Sequence, residues 1–223
     1  MPVVPPAAAG RPVRSFIAIA LAEPARSAVE SYLADLQRTI SGVAWTPPEN
    51  LHLTLKFLGD VIPARLESLA ARVAGIAAAQ PPFDLTVAGV GAFPSVRRPR
   101  VLWIGAAAPA VGPLAGAVDG ACAAEGFAPE TRPFHLHLTL GRVRHVRGAR
   151  RGRLSPRHDA PRGSRDRPVD PALALAALDQ DRERPFGVSP ADALALFQSE
   201  LGPIGARHTC LARWPFARDP EAT

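Results

Sequence analysis

The same four-residue string, H-L-T-L, occurs twice in this chain, at residues 52–55 and again at residues 137–140. In a β-strand successive side chains point to opposite faces, so residues two apart share a face. Each tetrad should therefore place a histidine beside a threonine on one face and turn its two leucines towards a core. The side chains that this spacing offers for chemistry are His52, Thr54, His137 and Thr139.

Two imidazoles that meet in one groove suit the hydrolysis of a phosphodiester at neutral pH. One ring takes a proton from the attacking oxygen, and the other gives a proton to the leaving oxygen. Threonine hydroxyls and a nearby cation can hold the non-bridging oxygens, where negative charge builds in the transition state. This chemistry requires no metal ion.

Arg142 is the candidate for that cation, because an arginine fork matches the geometry of a phosphate group. It lies five residues after His137. Strand alternation alone turns it away from that histidine. A bend at Gly141 would re-aim it.

A single H-x-T-x string is more often a packed or surface histidine with no chemical role. Here the string is repeated, and a helix-and-strand pattern precedes each copy, which favours two related lobes. His135 and His137 also form an H-x-H pair, a spacing that occurs in metal sites. No cluster of cysteine, aspartate or glutamate accompanies the pair, so we expect His135 to line the cleft or to stack on a base.

Hydrophobic periodicity predicts the elements that must position the tetrads. Strands are expected over 14–21, 51–58, 83–90, 100–105 and 134–143, helices over 24–40, 63–79 and 109–125, and a turn over 45–50. A second group follows later in the chain: a short helix over 172–178 and strands over 186–188, 193–198 and 209–215. The order β-α-β-α-β-β-α-β predicts an α+β protein with mostly antiparallel sheets.

The basic charge of the chain is concentrated in one segment. The formal net charge is +6, yet residues 142–168 alone contain ten arginines and two aspartates, so the rest of the chain carries −2. Residues 144–171 have few apolar side chains and cannot bury enough surface to offset their ordering entropy. We expect a disordered arginine-rich insertion there, with an RNA-binding arm as the alternative.

Other features of the sequence limit the class of protein to which the chain can belong. No run of about 18 apolar residues is present, so a membrane span is not expected. Residues 1–12 are rich in proline, unlike a signal peptide, and we interpret them as a flexible leader on a cytoplasmic protein. Cys122 and Cys210 lack the C-x-x-C spacing and are expected to be buried thiols. A monomer is the default expectation.

Longer stretches around the tetrads resemble a known family. They are R-S-F-I-A-I at 14–19, W-T-P-P-E-N-L-H-L-T-L-K-F-L-G-D at 45–60, G-V-G-A-F-P at 89–94, R-P-R-V-L-W-I-G at 98–105, F-H-L-H-L-T-L-G-R at 134–142 and S-E-L-G-P-I-G-A-R-H at 199–208. The chain resembles the 2H phosphoesterase superfamily, in particular the bacterial RNA 2′,3′-cyclic phosphodiesterases of the LigT/ThpR type, also called 2′-5′ RNA ligases.

The resemblance implies a single bilobal domain over 13–218, in which two mostly antiparallel sheets line a central cleft and helices lie outside. It implies metal-independent hydrolysis of an RNA-terminal 2′,3′-cyclic phosphate to a 2′-phosphate, without a cofactor. His52 and His137 would be the acid–base pair, with His52 favoured as the acid. Thr54 and Thr139 would bind phosphate oxygens, assisted by Arg142.

Three departures from the family pattern are visible. Leu136 stands where the family usually has proline, His208 stands at the place of a late tyrosine, and the arginine-rich segment is longer than the usual connection. Two other functions stay open: a non-catalytic RNA-binding module, and 2′-5′ RNA ligation as the reverse reaction in the same site. Ligation would have to be energy-neutral, since no P-loop or ATP-binding lysine motif is visible.

Overall fold

The computed structural model describes residues 11–144, 178–202 and 205–217. Nearly all of the expected leader over 1–12 and of the arginine-rich insertion over 144–171 lies outside these residues. The short helix expected over 172–178 also lies outside them, except for its last residue. These three expectations and the domain limits of 13–218 stay predictions.

The described elements follow the expected order, with one addition. They are β1 Val13–Ala20, α1 Ala25–Thr39, β2 Val43–Trp45, a 3₁₀ turn Pro48–Asn50, β3 His52–Val61, α2 Pro63–Ala79, β4 Phe83–Phe93, β5 Val101–Ala107, α3 Val111–Ala124, β6 His137–Val143, β7 Pro185–Ala191, β8 Ala193–Gly202 and β9 Gly205–Pro215. The addition is β2, which is too short to show a periodicity of its own. The strand expected from residue 134 begins at His137.

All the described strands pair in one antiparallel sheet. Its order is β7-β4-β5-β6-β3-β1-β8-β9, and β2 pairs with β6 off this path. β3 and β6 meet at a single register pair, Leu53 with Leu138. The sheet thus consists of two halves, β7-β4-β5-β6-β2 and β3-β1-β8-β9, joined inside the two tetrads. The α+β fold is confirmed, and the two expected sheets are halves of one continuous sheet.

The hydrophobic core lies between the sheet and the three described α-helices. α1 packs against β7, α2 against β9 and α3, and α3 against β3. As predicted, α1 begins directly after Pro24 and α2 begins at Pro63, where proline suits the first helical position. α3 begins at Val111, two residues later than expected. No helix among the described residues is long and apolar enough to cross a membrane.

The two cysteines differ in exposure. Cys122 is buried in α3, as expected, whereas Cys210 is exposed. The expectation for Cys210 was wrong because β9 is an edge strand of the sheet, which leaves part of its surface uncovered.

Lys56, the single lysine of the chain, holds β3 to the helical layer. Its side chain is 7% exposed. The Nζ atom donates to Asp119 Oδ1 at 2.5 Å and to the Ala128 carbonyl at 2.6 Å. A buried ammonium is tolerated only where such acceptors surround it. The strand that carries the first tetrad is therefore tied to α3 by a charged contact as well as by apolar packing.

We expect Asp119→Ala to lower the free energy of unfolding by about 2 kcal/mol, because it leaves the buried ammonium with one acceptor. Urea unfolding measures the change. Asp35→Ala is the matched control, since it removes an exposed aspartate paired with Arg38 on α1 and should cost less than about 0.5 kcal/mol. Equal losses in the two variants would show that the Lys56 contact contributes no more to the free energy of unfolding than an exposed ion pair does.

Candidate active site

A cavity of about 450 Å³ lies between the two halves of the sheet. All five residues singled out in the sequence line it: His52, Thr54, His137, Thr139 and Arg142. The four leucines of the tetrads point the other way and are buried, with exposures between 0% and 8%. Strand alternation therefore acts as expected, and it brings both tetrads to one cavity.

Arg142 reaches the cavity because β6 contains a β-bulge. Trp103 of β5 pairs with Thr139 and Leu102 pairs with Gly141, so Leu140 is the extra residue. Beyond a bulge the alternation is inverted, which returns Arg142 to the face of the histidine. The re-aiming expected at Gly141 thus originates one residue earlier. Gly141 itself lets β2 approach, since a Cβ there would lie 2.6 Å from Val43 Cγ1.

β3 has the same bulge at the same place in its tetrad. Ala18 of β1 pairs with Thr54 and Ile17 pairs with Lys56, so Leu55 is the extra residue. Lys56 then turns inward, and the next residue, Phe57, lines the cavity although 59% of it is exposed. Phe57 occupies the position in β3 that Arg142 occupies in β6. The sequence reasoning missed it because both bulges are visible only in the pairing with neighbouring strands.

Each histidine is fixed by a backbone carbonyl two residues before it. His52 Nδ1 lies 2.7 Å from the Asn50 carbonyl oxygen, and His137 Nδ1 lies 2.7 Å from the His135 carbonyl oxygen. A carbonyl oxygen only accepts, so Nδ1 carries the hydrogen in both rings. Nε2 is then the nitrogen that can take up or release a proton in each ring.

Asn50 connects this arrangement to β9. Its side chain is buried, donates from Nδ2 to the Ala206 carbonyl at 2.6 Å and accepts at Oδ1 from the His208 backbone N–H at 3.3 Å. The carbonyl that orients His52 is therefore itself held by the edge strand. The sequence marked Asn50 only as a turn residue, and its contacts to β9 span more than 150 positions.

Aromatic rings surround the two histidines. Phe16 stacks on His52 at 4.5 Å between ring centroids, and His208 meets the same ring edge-on at 5.2 Å. Phe93 meets His137 edge-on at 5.0 Å. His208, noted above as a departure from the family pattern, also lines the cavity. The cavity therefore contains three imidazoles.

Burial keeps the catalytic candidates neutral in the unliganded protein. It lowers the pKa of His52 to about 4, against the opposing effect of the bond to the Asn50 carbonyl, and nearby His208 and His137 lower it further. Burial also lowers the pKa of His137, with additional lowering from His135 and Arg142. At neutral pH both rings are therefore largely uncharged.

The residues that the structure describes contain no group of three or more histidine, cysteine, aspartate or glutamate side chains placed to hold a metal ion. The H-x-H pair illustrates why. The rings of His135 and His137 are 6.1 Å apart and inclined at 71°, and no acidic side chain in the described part of the chain completes the set. The polar groups that line the cavity include imidazoles, hydroxyls and a guanidinium group.

Known proteins resemble this chain in sequence. The family described as LigT like phosphoesterase matches residues 19–103. A protein of Methanothermobacter thermautotrophicus named RNA 2′,3′-cyclic phosphodiesterase is 37% identical over 133 residues, which are 59% of this chain and 72% of that protein. The chain belongs to the LigT-like phosphoesterase family. A protein of the same name from Archaeoglobus fulgidus is 37% identical over 133 residues, 59% of this chain and 73% of that one.

Coverage is lower for another relative of that name, from Geobacillus stearothermophilus. It is 36% identical over 128 residues, which are 57% of this chain but only 41% of that protein. Among solved structures, a protein of Thermus thermophilus matches with a TM-score of 0.68 and 27% identity, over 91% of this chain and 97% of that one. Apo LigT of Escherichia coli shares the fold, with a TM-score of 0.64, 24% identity, and coverage of 94% and 100%.

We expect NMR titration of the free protein to give a midpoint of about 4 for His52. The midpoint of His137 should also lie below its ordinary value, because burial disfavours the charged ring. Nitrogen shifts should report a hydrogen on Nδ1 in both rings. The urea-unfolded chain is the control, where both should titrate near about 6.5. A folded-state midpoint near 6.5 for His52 would contradict the geometry described above.

Proposed function

We propose that this protein hydrolyses the 2′,3′-cyclic phosphate at the end of an RNA chain to a 2′-phosphomonoester, by paired-histidine acid–base catalysis without a metal ion. One observation carries the proposal: two histidines, oriented identically by backbone carbonyls, present Nε2 to the same cavity from opposite halves of the sheet. The relatives named RNA 2′,3′-cyclic phosphodiesterase support the choice of substrate.

The reaction needs one neutral and one protonated imidazole. The neutral Nε2 takes a proton from water as the water oxygen attacks phosphorus. The other Nε2 gives its proton to O3′ as the P–O3′ bond breaks, which leaves the phosphate on O2′. Because both rings are neutral in the empty cavity, the acid must take up its proton from solvent when the substrate binds. A bound phosphodiester anion favours the charged imidazole and so raises its pKa.

The remaining polar groups stabilise the charge that builds on phosphorus. Thr54 and Thr139 each stand two residues from a histidine on the same strand face, about 7 Å along the strand. Their hydroxyls donate to the non-bridging oxygens, and the Arg142 fork binds the same oxygens. The assignment of His52 as the acid stays a prediction, because the two rings are oriented alike.

The cavity is built entirely from one chain, and both halves of the sheet contribute to it. We propose that the protein acts on RNA ends in the cytoplasm, with a monomer as the default expectation. In 2′-5′ ligation the 5′-hydroxyl of a second RNA would attack phosphorus in place of water, and attack by O3′ on the new linkage is the reverse of that step. Both directions would use the same two histidines.

We expect turnover of a 2′,3′-cyclic phosphate substrate to persist in EDTA and to fall at least about 100-fold in His52→Gln and in His137→Gln. Glutamine preserves most of the ring volume and cannot transfer the proton. Product analysis should give the 2′-phosphate alone. Loss of activity in EDTA that is restored by a metal ion, or full activity in His52→Gln, would overturn the mechanism. RNA binding without any turnover would favour the non-catalytic RNA-binding module.

We expect kcat/KM to fall about tenfold per pH unit above neutrality. Both histidine pKa values in the free protein lie below the ordinary 6.5, so the singly protonated pair becomes rarer as pH rises through and beyond them. The value of kcat/KM falls with rising pH whichever ring is the acid. A pH–rate profile on a cyclic phosphate, which does not titrate in this range, measures it. A plateau extending to about pH 9 would contradict the pairing.

A further inference from the structure

The sheet face that carries His137 continues beyond the cavity, across β5 and β4. In the β5–β6 ladder Trp103 pairs with Thr139 and Gly105 pairs with His137. Partners in an antiparallel ladder project to the same face. On β4, Gly91 pairs with Trp103. A substrate bound at His137 can therefore extend over this surface without leaving the sheet.

Trp103 lies across this face between two glycines. A Cβ at Gly91 would collide with the Trp103 ring at Cζ2, and a Cβ at Gly105 would lie 3.6 Å from Cζ3. The indole thus spreads over the neighbouring backbone, and any side chain at Gly91 would displace it. Phe93 joins it to the active site, with its ring 5.3 Å from Trp103 and 5.0 Å from His137.

Trp103 lines two further cavities, of about 820 Å³ and 500 Å³, and Arg182 lines both as well. Arg97 lines the larger cavity, and Phe134, which is 41% exposed, lines the smaller. One carboxylate, that of Asp179, also faces the larger cavity. Trp103 is half-buried, whereas Phe134 is exposed. Aromatic rings next to guanidinium groups are the combination with which proteins hold single-stranded nucleic acid, through base stacking and phosphate contacts.

We propose that the surface formed by Trp103, Phe134 and Arg182 binds the nucleotide that precedes the reacting one in the RNA. The base of that nucleotide stacks on the two aromatic rings. Arg182 binds the phosphate that links it to the reacting nucleotide. The inference rests on the proposed function and specifies its substrate as an oligonucleotide. The cyclic phosphate is at the 3′ end, so the rest of the RNA must leave the cavity on its 5′ side.

The test compares kcat/KM for a mononucleoside 2′,3′-cyclic phosphate with that for a dinucleotide ending in the same group. We expect the dinucleotide to be preferred at least about tenfold, since one stacked base contributes a factor of about this size. Phe134→Ala and Arg182→Ala should each reduce the preference at least about threefold and leave the mononucleotide value within about twofold. Phe134 lies outside the strands, so its replacement leaves the core intact.

Arg38→Ala is the control, because it removes the same charge from an exposed position on α1 and should leave the preference unchanged. With a dinucleotide that lacks the upstream base, Phe134→Ala should no longer reduce the preference for the dinucleotide. Arg182→Ala should still reduce it. Equal rates for both substrates, or variants that lower both rates alike, would overturn the proposal. If neither substrate is turned over, the proposed function fails. Dissociation constants for the corresponding 2′-phosphate ligands then test the surface independently.

Discussion

The whole site depends on one contact, the pairing of Leu53 with Leu138 where the two halves of the sheet meet. Both side chains are fully buried, so hydrophobic burial fixes the register in which the tetrads approach one another. On either side of this pair the antiparallel register directs each histidine towards the threonine of the other tetrad. A slip by one residue would bring leucines into the cavity and histidines into the core. The energy that holds the active site in register therefore comes from residues that do no chemistry.

The apolar surroundings of the histidines determine how the site can work. Phe16 and Phe93 cover the imidazoles closely, and the loss of hydration lowers both pKa values. An empty cavity with neutral rings avoids burying two like charges side by side. The same low local dielectric strengthens the attraction between an entering anion and a protonated imidazole. In the proposed mechanism, the aromatic lining thus couples substrate binding to the protonation that the reaction needs.

Much of the site could be predicted from the sequence, because period-2 alternation is a local property. His52, Thr54, His137 and Thr139 share a cavity as the tetrad spacing predicts. What could not be predicted depends on partners distant in the chain. The bulges at the fourth tetrad position are defined only against β1 and β5, and they decide that Phe57 and Arg142 line the cavity. The same holds for the anchoring of Asn50 by β9 and for β2, which exists only through its pairing with β6.

The two halves are alike in backbone and unlike in charge, and in the proposed mechanism this difference orients the substrate. Both tetrads have the same hydrogen bond from the histidine to a backbone carbonyl and the same bulge. The residue that lines the cavity beyond the bulge, however, is Phe57 in one half and Arg142 in the other. An anion in the cavity is therefore attracted towards β6, while the β3 side offers an aromatic surface. The proposed acid–base chemistry uses the symmetric part, two imidazoles held alike by backbone carbonyls. In the proposed mechanism, the asymmetric part sets which oxygen of the phosphate each imidazole meets, and hence which ester bond is broken.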